Sequence, residues 1–136
     1  MIQKLSHMSI YVLDQDAAKR FYVETLGFEV RNDASTGGFR WLTISPKGQP
    51  EIEIVLMPTS TSPMLDEGRS AALRGLIEKG TFGCGVLETD DCQATYEDLK
   101  KKGVIFTSPP TQRPYGLEAV MKDNSGNWFS LTQRPR

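Results

Sequence analysis

One pattern recurs and limits the fold more than any other: an alternating strand, an aspartate, a helix-length run and a glycine. Asp14 and Gly27 frame the first copy, and Asp90 and Gly103 repeat them 76 positions later. Aspartate caps a helix because its carboxylate accepts the free amide hydrogens of the first turn. Glycine ends one by taking a left-handed conformation. Between the first pair Ala17, Ala18, Phe21, Tyr22 and Leu26 fall at helical spacing, and after Asp90 or its neighbour Asp91 the residues Cys92, Tyr96 and Leu99 do the same. Upstream of the first cap Met8, Ile10 and Val12 alternate with His7, Ser9 and Tyr11, the period of a strand with one buried face.

The strands downstream of each helix repeat as well. After Gly27 the pattern predicts a short strand over 28–31, a turn over 33–38, a strand over 39–45, a tight connection and a strand over 51–57. After Gly103 it predicts a strand over 104–107 broken by Pro109-Pro110, a strand over 115–122, a hairpin turn over 123–127 and a last strand over 128–133. Between the copies lie a Pro/Ser/Thr-rich stretch and a helix over 66–79 with Leu73, Leu76 and Ile77 facing inward. The expected architecture is α+β: two tandem βαβββ modules with curved mixed sheets enclosing a cleft. Module 1 spans 1–58, a linker with a helix 59–80, and module 2 81–136, as one duplicated domain.

Composition narrows the function. The chain has 16 basic and 17 acidic side chains and no basic stripe, so nothing draws it to nucleic acid. No apolar run approaches the ~20 residues of a membrane span. The N-terminal stretch is interrupted by Gln3, Lys4, Ser6 and His7, unlike a signal peptide, so the cytoplasm is the expected compartment. Cys84 and Cys92 are expected to be free thiols there, with Cys92 in the core.

Strand parity sends His7, Ser9, Tyr11, Glu51 and Glu53 away from the first helix and toward the cleft. His7 is the sole histidine. On the third strand, Trp41 would offer a stacking surface or Arg40 an anion clamp, since neighbours face opposite ways. Cys84 stands between Gly83 and Gly85, which allows close approach of a ligand. Trp128 is large enough to be a core residue.

Four segments carry a resemblance: LSHMSIYVLDQDAAKRFYVETLGFEV at 5–30, EIEIVLMP at 51–58, FGCGVLETDDCQATYEDLKKKGV at 82–104 and YGLEAVMKDNSGNWFSL at 115–131. Together they resemble the vicinal oxygen chelate superfamily, which includes glyoxalase I, bleomycin-resistance proteins, fosfomycin-resistance enzymes and extradiol dioxygenases. Its members commonly hold a divalent metal with side chains from the first and last strand of each module. The resemblance implies His7 and Glu53 as ligands from the first half, with Cys84 at the matching position of the second. Ser130 falls where the pattern has a closing glutamate. The implied cofactor is a divalent metal, zinc or nickel, and the other reading is a metal-free site.

The resemblance implies two alternative functions. The first is a glyoxalase-like enzyme in which Glu53 or Glu118 moves a proton on a small molecule. The second is a metal-free binding protein that, like bleomycin-resistance proteins, holds a drug-like molecule between sheets. Tyr11, Trp41, Tyr115 and Ser130 are the expected substrate contacts, and Glu118 would supply charge. A dioxygenase needs two histidines and a carboxylate, and one histidine does not furnish them. The expected partners are a small-molecule ligand and a second copy of the chain.

Overall fold

The computed structural model describes residues 1–135, which divide into two compact units, one of residues 1–74 and one that starts at Gly75. In the first unit the chain runs β1 (His7–Val12), α1 (Gln15–Arg20), a π-helical turn (Phe21–Thr25), β2 (Glu29–Thr36), β3 (Phe39–Ser45) and β4 (Glu53–Pro58). The sheet order is β1-β4-β3-β2, with β1 and β4 parallel and the other pairs antiparallel. Alternation does the sorting: Ile10 and Val12, Leu42 and Ile44, Ile54 and Leu56 are buried, as are Ala18, Tyr22 and Phe28. Gln15 fixes the helix start by donating Nε2–H to the Leu56 carbonyl at 2.9 Å.

A helix, α2 (Glu67–Glu78), includes the boundary between the units. Its Ile77 is fully buried, but Leu76 is exposed rather than inward as expected. The second unit continues with β5 (Gly83–Glu88), α3 (Cys92–Lys101), β6 (Phe106–Arg113), β7 (Gly116–Lys122) and β8 (Trp128–Gln133). Its sheet order, β5-β8-β7-β6, repeats that of the first unit, again with the outer pair β5·β8 parallel. Cys92, Ala119 and Leu131 form its core, with Leu87, Tyr96, Phe106 and Leu117 against them. Both units are therefore βαβββ modules.

The helices differ in one informative way. Asp14 caps α1 by accepting from the Ala17 amide at 2.9 Å, and it is Asp91, not Asp90, that caps α3 by accepting from Ala94 at 3.0 Å. Both helices end at a left-handed glycine, Gly27 (φ 79°) and Gly103 (φ 91°). The first span is therefore one residue longer than the second. The π-helical turn over Phe21–Thr25 absorbs that residue, because a π turn takes in one more residue than an α turn.

Three strands depart from expectation. β2 runs on to Thr36, so the turn shrinks to Gly37-Gly38. Asp33 is held in the strand region by Arg40, whose Nε donates to its Oδ1 at 2.8 Å across the hairpin. Pro109 and Pro110 do not end the strand that contains them: they lie within β6, an edge strand where a missing amide hydrogen breaks no ladder. Register puts Ser108 opposite Val120 and Thr111 opposite Glu118, so both prolines face Ala119 alone, as a bulge. β5 also bulges, with Cys84 as the extra residue between Gly83 and Gly85.

Candidate functional site

In the second unit β5, β7 and β8 turn alternate side chains to α3 and to the opposite face. Leu87, Ala119, Phe129 and Leu131 go to the helix side. Val86, Glu88, Glu118, Trp128, Ser130 and Thr132 go to the other, where with Gly83, Gly85, Tyr115, Arg134 and Pro135 they line a cavity of about 830 Å³. That volume lies within the ~300–1,000 Å³ of small-molecule sites. Trp128 keeps 37% of its surface exposed and belongs to this cavity, not to the core.

A hydrogen-bonded row crosses the cavity wall. Ser130 donates its hydroxyl to Glu118 Oε2 at 2.5 Å, and Tyr115 donates to Glu118 Oε1 at 2.7 Å. Ser130 and Thr132 share a contact of 2.7 Å. Because the single Ser130 proton points at Glu118, Thr132 is the donor in that contact. Arg113 adds positive charge, its Nε 3.7 Å from Glu118 Oε1. The Ser130 and Tyr115 hydroxyls hold Glu118 below the usual carboxylate range, with help from Arg113, and the same bond raises the Tyr115 phenol. Glu118 is thus a fixed anionic acceptor at neutral pH. A carboxylate stabilised in its charged form is a poor proton carrier there.

In the first unit, β1 and β4 start with His7 directly opposite Glu53. His7 Nε2 stands 3.3 Å from Glu53 Oε2, and His7 Nδ1 contacts the Ser6 hydroxyl at 2.9 Å. The other Glu53 oxygen accepts from Thr43 Oγ1 at 2.7 Å and Asn32 Nδ2 at 3.1 Å. The Thr43 hydroxyl above all, then Asn32 and the nearby His7, lower the Glu53 pKa. Trp41 is 40% exposed with its ring centroid 6.0 Å from that of His7. Tyr11 lies further along β1, opposite Met57 and half-buried. Arg40 is not a free anion clamp, because its guanidinium is taken up by Asp33 and by Asp16 at 2.6 Å.

The expected residues thus fall into two sets. Glu118, Tyr115 and Ser130 meet in one cavity; His7, Glu53 and Trp41 meet on the first unit's sheet. Cys84 belongs to neither, as it lies outside the cavity lining, and burial with the nearby Asp123 charge pushes its thiol up to about 11. A metal site with catalytic roles uses about three protein ligands. His7 and Glu53 supply two, one Glu53 oxygen is already engaged twice, and the Cys84 thiol is neutral at pH 7. Among the described residues no group of three or more His, Cys, Asp or Glu is placed to hold a metal ion. The residues present do not fit a full metal site.

Register also corrects one expected correspondence. With Ile10·Leu56 and Leu87·Leu131 as equivalent core pairs, the position of Glu53 is filled in the second unit by Trp128, and Ser130 matches Val55. Thr132 was readable from sequence, since it shares strand parity with Ser130; the same parity reaches Trp128, whose size argued for the core instead. Gly83 had shown itself only as a place of close approach, and Glu88 carried no signal, since the β5 bulge resets parity at Cys84.

Two four-stranded βαβββ modules with the same strand order define the fold class, and sequence comparison agrees. Residues 4–131 match the Glyoxalase/Bleomycin resistance protein/Dioxygenase superfamily, and the chain belongs to it. YurT of Bacillus subtilis (strain 168) is 36% identical over 132 residues, covering 96% of this chain and 99% of its own. The crystal structure of UcmS2 superposes with a TM-score of 0.92 at 54% identity, covering 97% of this chain and 98% of that one. TnmS3, an antibiotic binding protein from Streptomyces sp. CB03234, superposes with a TM-score of 0.77 at 31% identity over 98% of both chains. Among the described residues no helix is long and apolar enough to cross a membrane.

Proposed function

We propose that this chain is a small-molecule binding protein that holds a drug-like ligand in the second unit's cavity and releases it unchanged. The carrying observation is the cavity itself: about 830 Å³, with an exposed indole and a carboxylate locked by two hydroxyl donors. Such a site orients a ligand, and its carboxylate is held in the form least able to exchange a proton. The likeness to TnmS3 supports the same reading. The protein works as a cytoplasmic homodimer in this proposal, which size-exclusion with light scattering at micromolar concentration tests.

The decisive experiment is a thermal-shift screen against a panel of natural-product antibiotics and drug-like aromatics. Bound compounds are then recovered and weighed by mass spectrometry. A ligand at 100 times its Kd stabilises the fold by about 2.7 kcal/mol, a readily measured shift. Recovery of the compound intact supports binding alone; turnover of it, or no hit across the panel, sinks the reading. A glyoxalase-like enzyme is the second reading, favoured by the adjacency of His7 and Glu53. Titration of wild type and His7→Ala with nickel, zinc and manganese separates the two.

A further inference from the structure

The cavity depends on a residue that has no side chain. Gly83 and Trp128 are partners across β5 and β8, and the indole lies over the glycine. A Cβ at Gly83 would stand 2.4 Å from Cζ2, 2.7 Å from Cε2 and 2.8 Å from Cη2 of Trp128. Those are three consecutive ring atoms, and no real Cβ contact is that short, so any other residue would displace the ring. The backbone imposes no such demand, since Gly83 is not among the residues with positive φ. Space for the indole is what requires glycine here.

The displaced element would be the cavity's largest flat surface, because Gly83 and Trp128 both line the cavity. Glu118 lies on the wall of the same cavity, and each of its oxygens accepts one hydroxyl. Carboxylate oxygens have room for a further donor. A flat π surface and an anionic acceptor in one cavity recognise two features of a single molecule.

Resting on the binding function, we infer that the cavity selects a flat, fused-ring aromatic molecule carrying a hydrogen-bond donor at one end. The ring system lies on Trp128, the donor meets Glu118, and Gly83 is the positioning residue that sets the indole.

Calorimetric titration tests this with three probes: 9-aminoacridine (flat, with donors), acridine (flat, without an amino donor) and 1-aminoadamantane (a donor on a globular cage). Wild type binds 9-aminoacridine most tightly. Trp128→Leu weakens that binding about five- to tenfold, the loss of one aromatic contact. Gly83→Ala weakens it to a similar degree, and adds no further loss in the Trp128→Leu background. That non-additivity is what a merely structural glycine would not produce. Glu118→Gln brings the affinities for 9-aminoacridine and acridine together. Thermal unfolding of the same samples checks that each variant folds; should Gly83→Ala fail to fold, Trp128→Leu and Glu118→Gln still decide. Unchanged 9-aminoacridine affinity in Trp128→Leu, equal affinity for the adamantane, an unchanged gap between 9-aminoacridine and acridine in Glu118→Gln, or no 9-aminoacridine binding by wild type overturns the inference. The binding reading itself stands or falls on the antibiotic panel, where no hit, or turnover of a bound compound, sinks it.

Discussion

At the start of β1 and β4 the first unit pairs His7 with Glu53; at the start of β5 and β8 the second pairs Gly83 with Trp128. The sheets have the same strand order and equivalent core pairs, yet this one corner is polar in one unit and aromatic in the other. In the first unit two sheet carboxylates are met from within: Glu53 by Thr43, Asn32 and His7, Asp33 by Arg40 and Lys19. In the second, the indole is left partly bare over a glycine, and a cavity opens beside it. Duplication fixes the scaffold through its core positions, which both copies must keep to bury apolar surface. The opposite face is freer to diverge because the scaffold depends on it less than on the apolar core.

If the scaffold is shared, equal cuts into it should cost alike. Leu56→Ala and Leu131→Ala remove equivalent core residues, at 0% and 3% exposure. Each should lower stability by about 2–5 kcal/mol, read as the midpoint of urea unfolding. A difference beyond that spread would break the equivalence. The hairpins should instead differ. A Cβ at Gly116 (φ 137°) would come within 2.2 Å of the Gln133 carbonyl oxygen, whereas one at Gly38 (φ 80°) meets nothing within 4 Å. Gly116→Ala is expected to cost about 3 kcal/mol from strain and overlap together. Gly38→Ala should cost about 1 kcal/mol from backbone strain alone. Similar losses would mean that the β6–β7 turn is free to move away from β8.

The helix caps give a finer comparison. Asp14→Ala and Asp91→Ala should each cost about 1 kcal/mol, because each removes an acceptor from a first-turn amide. Asp90→Ala should stay within ~0.5 kcal/mol, as a surface change outside the cap. Thermal melts of the three variants decide which aspartate starts α3.

Period and punctuation made the βαβββ repeat legible, because burying one face imposes alternation and caps impose their own residue types. The features that stayed hidden had local physical causes. The extra residue of the π-helical turn made 14–27 and 90–103 look equal in length, which left Asp90 open beside Asp91 as the cap. Pro109-Pro110 reads as a breaker unless β6 is known to be an edge, and strand order is not written locally. Glu118, Tyr115 and Ser130 were legible as cleft residues. The role of Trp128 was not, because a tryptophan's size argues for the core until a glycine opposite leaves room for it on the surface.

The smallest expected effect separates the two carboxylates by pH. Glu53 and Glu118 are both held below their ordinary value of 4.5, the first led by Thr43 and the second by Ser130. A carboxyl whose folded pKa is depressed stabilises the fold above the unfolded value, and that stability is lost as pH falls through the lower, folded value. Stability should therefore be level from pH 7 to about 5 and decline below 4.5. Glu53→Gln and Glu118→Gln should each lower neutral-pH stability by about 1 kcal/mol and flatten the acid decline, since glutamine does not titrate. The units then part: Glu118→Gln alone should alter cavity binding, because only Glu118 lines the cavity. Urea unfolding at half-unit steps from pH 7 to 3, with 9-aminoacridine titrations at pH 7 and 5, reads both. An equal loss of binding in Glu53→Gln would break the contrast, since Glu53 does not line the cavity.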